Sequence, residues 1–161
     1  SSKNFSIFEE ASKSRYTPHV IEPSIGVDRL LLVTLLDAYT EEKVEGKDEI
    51  RTVLKLSPKI APIKIAILPL SKDQKLSELS KKIQRDLLSK GSLGKIEYDE
   101  TQSIGRRYRR QDEIGTPLCV TIDFDSLEDN SVTVRNRDSM LQERVNIESL
   151  YSYLLKSINN Y

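Results

Sequence analysis

The chain has 161 residues, enough for one ordinary domain and part of another. Its 25 Lys and Arg residues balance 25 Asp and Glu residues, so the formal net charge is zero and any nucleic-acid contact has to come from local clusters. With a single cysteine and a single histidine, a disulfide framework and a zinc site of the usual ligand type are excluded.

The first third is predicted to hold a polar tail, one helix and a linker. Residues 1–18 are rich in Ser, Lys and Glu, which predicts a tail without a signal peptide. Residues 19–22 predict a short extended run before a proline. Residues 25–39 predict a helix whose apolar side chains surround its axis, so we expect it to be buried; its apolar run is too short to span a membrane. Residues 40–49 are charged and predict a linker.

The remaining residues alternate between strand and helix patterns. Strands are predicted at residues 50–56, 63–70, 95–100, 117–124, 131–137 and 142–147, and helices at residues 71–91, 103–115 and 148–158. Ser71 or Asp73 can cap the first of these helices, and Gly91 can end it. Two of the strands are apolar on both faces, which is typical of central strands that are covered on each side.

This order of elements predicts an α/β fold, because strands alternate with helices along the chain. The last two strands follow one another directly and alternate in polarity, so we expect an antiparallel pair within a mixed sheet. Pro58 and Pro62 interrupt the pattern. We therefore place a domain boundary near residue 60, which gives a first part of residues 1–59 and a second part of residues 60–161.

Arg29 opens the apolar helix, where the positive end of the helix dipole mildly disfavours a cation. An unpaired guanidinium would also be costly in a buried helix. Two explanations stay open from the residues alone. Arg29 forms an ion pair with Asp28, Asp37 or another acid, or it faces a cleft where its flat cation stacks on a planar ring.

Glu22, Ser24 and Gly26 lie on the approach to the same helix. An extended segment points Glu22 and Ser24 to one side, where a carboxylate and a hydroxyl together suit a small ammonium group. The alternative is that Ser24 caps the helix and Glu22 is merely exposed. Gly26 either lets a ligand approach the backbone closely or is a plain turn residue.

An arginine cluster in the second part is the local candidate for nucleic-acid contact. It packs Arg106, Arg107, Tyr108, Arg109 and Arg110 into five residues, and Arg135 and Arg137 add charge on a nearby strand. Arginines engage phosphates, and a tyrosine can stack on a splayed base. The alternative is a solvated helix face that Asp112 and Glu113 balance.

Two further features are expected to be structural. Asp123 and Asp125 have the spacing of a metal-binding pair, but such acids more often end a strand and begin a turn. Cys119 lies in a strand that is predicted to be buried, where a thiol packs without reacting. We therefore predict no metal site.

The stretch HVIEPSIGVDRLLL resembles motif 3 of class II aminoacyl-tRNA synthetases, in the E-P-S-x-G-x-x-R form of dimeric glycyl-tRNA synthetases. The resemblance extends over roughly residues 16–157, through RTVLKLSPKIAPIKIAILPLS, SIGRRYRRQDEIGTPLCVTIDFD and TVRNRDSMLQERV. It is nearest to the eukaryotic cytosolic branch, and Asp28 departs from the glycine that glycyl enzymes often carry there. It implies a class II anticodon-binding domain, a mixed five-stranded sheet with flanking helices, preceded by a strand–helix remnant of the catalytic domain.

The resemblance also implies roles for four residues of the first part. Arg29 would stack on the adenine ring of ATP, and Gly26 would let the nucleotide approach the backbone. Glu22 would bind the ammonium group of glycine, and Ser24 would contact the same amino acid. The full enzyme would use ATP with Mg²⁺ to form glycyl-adenylate and would then transfer the glycyl group to tRNA.

The implied partners are glycine tRNA, held at its anticodon by the second part, and a second subunit of a homodimer. The implied location is the cytoplasm, with mitochondria left open. Motifs 1 and 2 are not in this sequence, so we expect the chain alone to be inactive, with neither ATP nor Mg²⁺ bound. We also expect the apolar helix to fold back on the second part or to pair between chains.

The rival hypothesis is a non-catalytic nucleic-acid-binding module, similar to the accessory subunit of mitochondrial DNA polymerase. Glu22, Ser24 and Arg29 argue against it, because such a module has no need of a glycine pocket.

Overall fold

The structure, a computed structural model, describes residues 5–44, 46 and 49–159. The chain divides into two compact units, residues 1–31 and residues 32–161. Among the described residues, no helix has the length and apolar character needed to cross a membrane.

The first unit begins with a small antiparallel hairpin. Strand β1 (Ile7–Glu9) pairs with β2 (Ser14–Tyr16). The expectation of a tail is therefore wrong for residues 5–18, while residues 1–4 lie outside the described part. Three-residue strands that are exposed on both faces leave no hydrophobic period in the sequence, so the pattern gave no sign of them. Residues 17–26 form no strand, so the extended run predicted at residues 19–22 pairs with nothing in the described chain.

Helix α1 (Val27–Ala38) confirms the predicted helix, but the expectation that it is buried is wrong. Of its residues only Ala38 is buried, against Leu56 and Ala61. Seven large apolar side chains of α1 are exposed, at Val27, Leu30, Leu31, Leu32, Val33, Leu35 and Leu36. An all-round apolar helix is buried only where neighbours cover it on several sides, and within the described part of the chain this holds for Ala38 at the carboxyl end of α1. Residues 32–36 belong to the second unit, but their apolar side chains are exposed and are not covered by it. Pairing of this helix between chains stays a prediction.

A second hairpin follows α1 directly. Strand β3 (Tyr39–Lys43) pairs antiparallel with β4 (Ile50–Leu54). The predicted linker at residues 40–49 is therefore wrong for residues 40–43, while residues 45, 47 and 48 lie outside the described part. The sequence did not predict β3 because most of its side chains are charged, which a strand with one face in solvent tolerates. The predicted alternation in β4 is confirmed.

The second unit is built on a mixed five-stranded sheet with flanking helices, which confirms the predicted fold class. Its strands are β5 (Ile65–Pro69), β6 (Ile96–Tyr98), β7 (Leu118–Ile122), β8 (Ser131–Asn136) and β9 (Gln142–Asn146). Its helices are α2 (Gln74–Lys90), α3 (Ile104–Glu113), α4 (Ser126–Asp129) and α5 (Ile147–Asn159). The strand order is β6-β5-β7-β8-β9. The first three strands of this order run parallel, and β8 and β9 add on as the predicted antiparallel pair.

The two faces of the sheet carry different cores. Alternate side chains of the strands meet α2 and α5 in the main apolar cluster, which includes Ile67, Val120 and Leu154. The core on the opposite face is smaller. There Ala66, Leu68 and Cys119 pack with Ile104 and Tyr108 of α3. This second face carries the arginine cluster.

Local signals end the helices where the sequence predicts. Of the two candidate caps for α2, the structure uses Asp73, whose carboxylate accepts the N–H groups of Lys75 at 2.8 Å and Leu76 at 3.3 Å. Gly91 follows the helix with a φ of 67°, a conformation that favours glycine.

Gly115, after α3, has a φ of 82° and allows a close approach of the second hairpin. A Cβ atom there would meet the carbonyl oxygen of Leu54 and Cδ1 of Leu56, each at 3.0 Å. Strand β4 therefore packs on the end of α3, and the second hairpin is part of the second unit. The domain boundary near residue 60 stays a prediction, while the chain divides into its two compact units after residue 31.

Candidate nucleic-acid interface

A fully buried carboxylate, Asp112, lies near the end of α3 and faces the sheet. Its two oxygens accept hydrogen bonds from Nη1 and Nη2 of Arg135 on β8, at 2.8 and 3.0 Å. Nε of Arg51 on β4 lies 3.6 Å from the same carboxylate. One acid thus joins a helix, the sheet and the second hairpin.

Arg51 and Arg137 extend this network through backbone carbonyls. Nη2 of Arg51 donates to the carbonyl oxygen of Arg137 at 2.6 Å. Nη1 of Arg137 donates to the carbonyl oxygen of Gly115 at 2.8 Å, and its Nε lies 2.8 Å from Asp138. Both arginines are almost fully buried, so their cations hold the second hairpin and α3 against the sheet.

Arg107 is also buried, and its hydrogen bonds go to backbone carbonyl oxygens. Its guanidinium donates to the carbonyl oxygens of Pro69 at 2.5 Å and Leu70 at 3.1 Å, where β5 ends. Burial lowers the pKa of this guanidinium. Arg107 therefore anchors the first turn of α3 at the carboxyl end of β5 and is not placed to reach a ligand in solution.

Tyr108 and Arg135 form a stacked pair. The guanidinium carbon of Arg135 lies 4.8 Å from the centroid of the Tyr108 ring, and the Tyr108 hydroxyl shares a 2.6 Å hydrogen bond with Thr121. Burial raises the pKa of Tyr108, so the hydroxyl stays protonated at neutral pH. Hydrogen bonds hold the stack at one end through Asp112 and at the other through Thr121.

A cleft of about 450 Å³ opens beside this stack, between α3, the second hairpin and β9. Its lining includes Glu49, Arg106, Tyr108, Arg109, Arg135 and Gln142. Nη2 of Arg109 lies 3.1 Å from Oε2 of Glu49. Arg106 is exposed and has no ion-pair or hydrogen-bond partner within the described ranges. Among the described residues that line it, the cleft thus combines an aromatic–guanidinium stack with one unneutralised cation.

Arg110 points away from this cleft and pairs with Asp99. Burial alone would raise the pKa of Asp99, but hydrogen bonds from Thr101 and Arg110 outweigh it and hold that pKa below its ordinary value. Arg110 also donates to the carbonyl oxygen of Thr101 at 2.9 Å, so it mainly ties α3 to the segment before it.

The structure therefore separates the predicted RNA-binding residues into two groups. Arg106 and Tyr108 border the cleft with accessible surface, while Arg107, Arg137 and most of Arg135 are internal. Their roles in RNA binding stay predictions. Sequence reasoning missed Glu49 and Gln142 as cleft residues. The charged stretch around Glu49 resembled a linker, and only recognition of the second hairpin would have placed it beside α3.

The four residues predicted to bind ATP and glycine, Glu22, Ser24, Gly26 and Arg29, are all exposed in the first unit. The carbonyl oxygen of Gly26 accepts the N–H of Leu30 at 3.0 Å. In the part of the chain that the structure describes, no hydrogen bond or ion pair links Glu22, Ser24 and Arg29. Neither an ion pair of Arg29 with Asp28 nor a cap by Ser24 forms there. Their ligand-binding roles stay predictions.

Asp123 of the acidic pair lies in the turn that follows β7. Asp123 accepts hydrogen bonds from the N–H and hydroxyl groups of Ser126 and pairs with Arg144, which fits a turn after a strand. The described residues contain no cluster of three or more His, Cys, Asp or Glu side chains placed to hold a metal ion. Cys119 is buried, and burial raises the pKa of its thiol to about 12.

Residues 64–157 match the family model of the anticodon binding domain, over the whole sheet and α2, α3 and α4. The chain belongs to this family. The mixed sheet and its flanking helices are thus those of an anticodon-binding domain, as the sequence resemblance implied. The second hairpin, including Glu49 and Arg51, lies outside the matched residues.

Curated relatives of this anticodon-binding chain carry the name glycine–tRNA ligase. The ligase of Clostridium beijerinckii is 54% identical over 158 residues, which is 98% of this chain and 33% of the relative. That of Thermobifida fusca is 50% identical over 161 residues, 98% of this chain and 34% of the relative. That of Staphylococcus aureus strain Newman is 56% identical over 154 residues, 96% of this chain and 32% of the relative.

The chain thus spans about a third of the length of the curated relatives it matches. All three relatives are bacterial, so they lend no support to the expected nearness to the eukaryotic branch.

Replacing Asp112 by Asn should destabilise the chain by about 3 kcal/mol or more, since it leaves Arg135 and Arg51 buried without their common counter-charge. Asp129→Asn is the matched control. Asp129 pairs with Arg144 at the surface, so this change should cost less than about 1 kcal/mol. Urea unfolding of both variants measures the difference, and equal losses would show that the buried pair is no more important than the exposed one.

Proposed function

We propose that this chain is the anticodon-binding part of a glycine–tRNA ligase and that it binds glycine tRNA at the cleft beside α3. The family match and the names of the relatives support the class of ligand. The observation that carries the location is the Tyr108–Arg135 stack, which borders a cleft together with the unpaired Arg106.

The chemistry of the cleft suits single-stranded RNA. Proteins read RNA loops by stacking unstacked bases on aromatic rings or guanidinium planes, and the half-buried ring of Tyr108, which Arg135 backs, supplies an aromatic ring at the cleft. The volume of about 450 Å³ falls in the range of small-ligand sites. Arg106 gives a local positive charge on a chain whose formal net charge is zero, and a phosphate beside the base would neutralise it.

Arg107, Arg110, Arg135 and Arg137 support this surface from beneath. Their cations are committed to carbonyl oxygens or carboxylates, so each fixes the position of α3 or β8. The direct contact to an RNA phosphate is then assigned to Arg106, because Arg109 is paired with Glu49.

Arg106→Ala should weaken binding of the chain to glycine tRNA transcripts and lower the slope of log affinity against log salt by about 0.7 to 1, because one phosphate contact is lost. Arg85→Ala, an exposed arginine of α2, is the control and should leave both values unchanged. The measurement is filter binding or fluorescence anisotropy over a salt series. Equal behaviour of the two variants would contradict the location of the site.

We further propose that the first unit contributes to the ATP and glycine site of the full-length enzyme. Arg29 is assigned to the adenine ring, Gly26 to close approach of the nucleotide, and Glu22 and Ser24 to glycine. The resemblance to motif 3 supports these roles, and so does the exposure of all four residues on one short segment. We assign the rest of this site, including Mg²⁺ bound with ATP, to parts of the enzyme outside this chain. The homodimer interface is assigned there as well. The location of the enzyme is assigned to the cytoplasm.

Arg29→Ala in a full-length enzyme should raise the KM for ATP several-fold, because a stacked cation on an aromatic ring contributes about 0.5 to 2 kcal/mol. The KM for glycine should change less. Arg15→Ala in β2 removes an exposed arginine of the same unit and should leave both constants unchanged. An unchanged KM for ATP in Arg29→Ala would reject this assignment.

The chain alone should show no glycine-dependent exchange between ATP and pyrophosphate, because adenylate formation needs phosphate-binding groups that the motif 3 segment does not supply. The full-length enzyme, assayed at the same concentration, is the positive control. A glycine-dependent signal from the purified chain would show that the catalytic site is more complete than proposed.

A further inference from the structure

The turn between β8 and β9 brings an apolar side chain, Met140, to the cleft beside α3. The cleft is lined mainly by charged and polar side chains, and the two aliphatic ones among its described lining residues are Val44 and Met140. Met140 keeps 37% of its surface in solvent, so it is accessible to a ligand in the cleft.

The backbone of Met140 lies in the left-handed region, with a φ of 56°. Hydrogen bonds around the turn impose this conformation. The N–H of Asn136 donates to the carbonyl oxygen of Leu141 at 3.0 Å, and Oδ1 of Asn136 accepts the N–H of Ser139, also at 3.0 Å. Glycine takes up such a conformation without steric cost, whereas a residue with a Cβ atom is strained there. Met140 therefore carries a cost that glycine would not.

The turn is joined to α3, which carries the other wall of the cleft. The buried guanidinium of Arg137 donates from Nη1 to the carbonyl oxygen of Gly115 at 2.8 Å, and its Nε donates to Asp138 at 2.8 Å. Met140 and Tyr108 thus reach one cleft from two different elements that are tied together.

The chemistry of methionine suits a flat aromatic ligand. Its side chain is unbranched, and its polarizable thioether makes favourable contacts with aromatic rings. A base that stacks on the ring of Tyr108 has a second face and an edge that an apolar group can cover. Such a contact requires no particular arrangement of donors and acceptors, so it suits each of the four bases.

We propose that Met140 packs against the RNA base that lies on Tyr108, and that it raises affinity for single-stranded RNA without selecting one base. This inference rests on the proposed binding of RNA at the cleft. It also gives a reason for the strained backbone, because glycine at this position would relieve the strain but would lose the contact.

The test begins with Met140→Ala, which keeps the Cβ atom and the backbone strain but removes the thioether. This variant should bind glycine tRNA transcripts about two- to tenfold more weakly, the range expected for loss of a sulfur–aromatic contact. The slope of log affinity against log salt should stay unchanged, because no phosphate contact is lost. Met140→Leu keeps an apolar side chain of similar volume and should bind within about twofold of the unmodified chain.

Met140→Gly separates strain from binding. It should raise the urea midpoint of unfolding, because relief of the left-handed strain exceeds the added freedom of the unfolded chain, and it should weaken RNA binding as Met140→Ala does. Ser92→Gly is the matched control. Ser92 is exposed, follows α2 outside the residues that line the cleft and has a φ of 63°, so this change should raise the midpoint and leave binding unchanged.

The inference is overturned if Met140→Ala binds the transcripts as tightly as the unmodified chain, or if Met140→Leu loses as much affinity as Met140→Ala. A urea midpoint that falls in Met140→Gly would overturn it too, because the side chain would then serve the stability of the turn. Failure of the proposed function looks different. In that case the unmodified chain binds none of the transcripts, or binds them with an affinity that Arg106→Ala leaves unchanged.

Discussion

The packing of the second unit depends on the buried carboxylate of Asp112 between two arginines. Asp112 lies in the last turn of α3, where the helix dipole is unfavourable to an anion, so Arg135 and Arg51 have to offset both desolvation and dipole. Arg135 arrives from the sheet and Arg51 from the second hairpin. The carboxyl end of α3, beside the cleft, is therefore held by one acid and the two cations that reach it, while Arg107 anchors the first turn of the helix.

This arrangement shows that the arginine cluster of the sequence forms only a small basic surface. Most arginines near α3 are neutralised from within by acids or carbonyl oxygens. Their hydrogen bonds and ion pairs hold the elements of the fold together, while Arg106 is exposed to solvent. A basic sequence cluster is thus a poor measure of basic surface, because burial and pairing decide which cations a phosphate meets.

The sheet and the helices around it could be predicted from the sequence, because their apolar residues repeat with clear periods. Strands β5 and β7 are apolar on both faces, and Asp73 and Gly91 mark the ends of α2 by local chemistry. The two hairpins could not be predicted, since β1 and β2 are exposed throughout and β3 is charged. Glu49 was missed for the same reason, and the burial of Arg107 and Arg137 depends on carbonyl groups distant in sequence. The helix α1 shows the opposite limit. Its pattern indicates burial, but the apolar surface that would cover it is not supplied by its neighbours in the second unit.

The burial of Cys119 has a practical consequence for spectroscopy of this chain. Its thiol is the only one in the sequence, and it lies on β7 behind α3 with a pKa raised to about 12. Alkylating reagents and thiol-directed dyes react with thiolates, so we expect the buried Cys119 of the folded chain not to react with them at neutral pH. A cysteine engineered at an exposed position can therefore carry a single dye or spin label while the native residue stays in place.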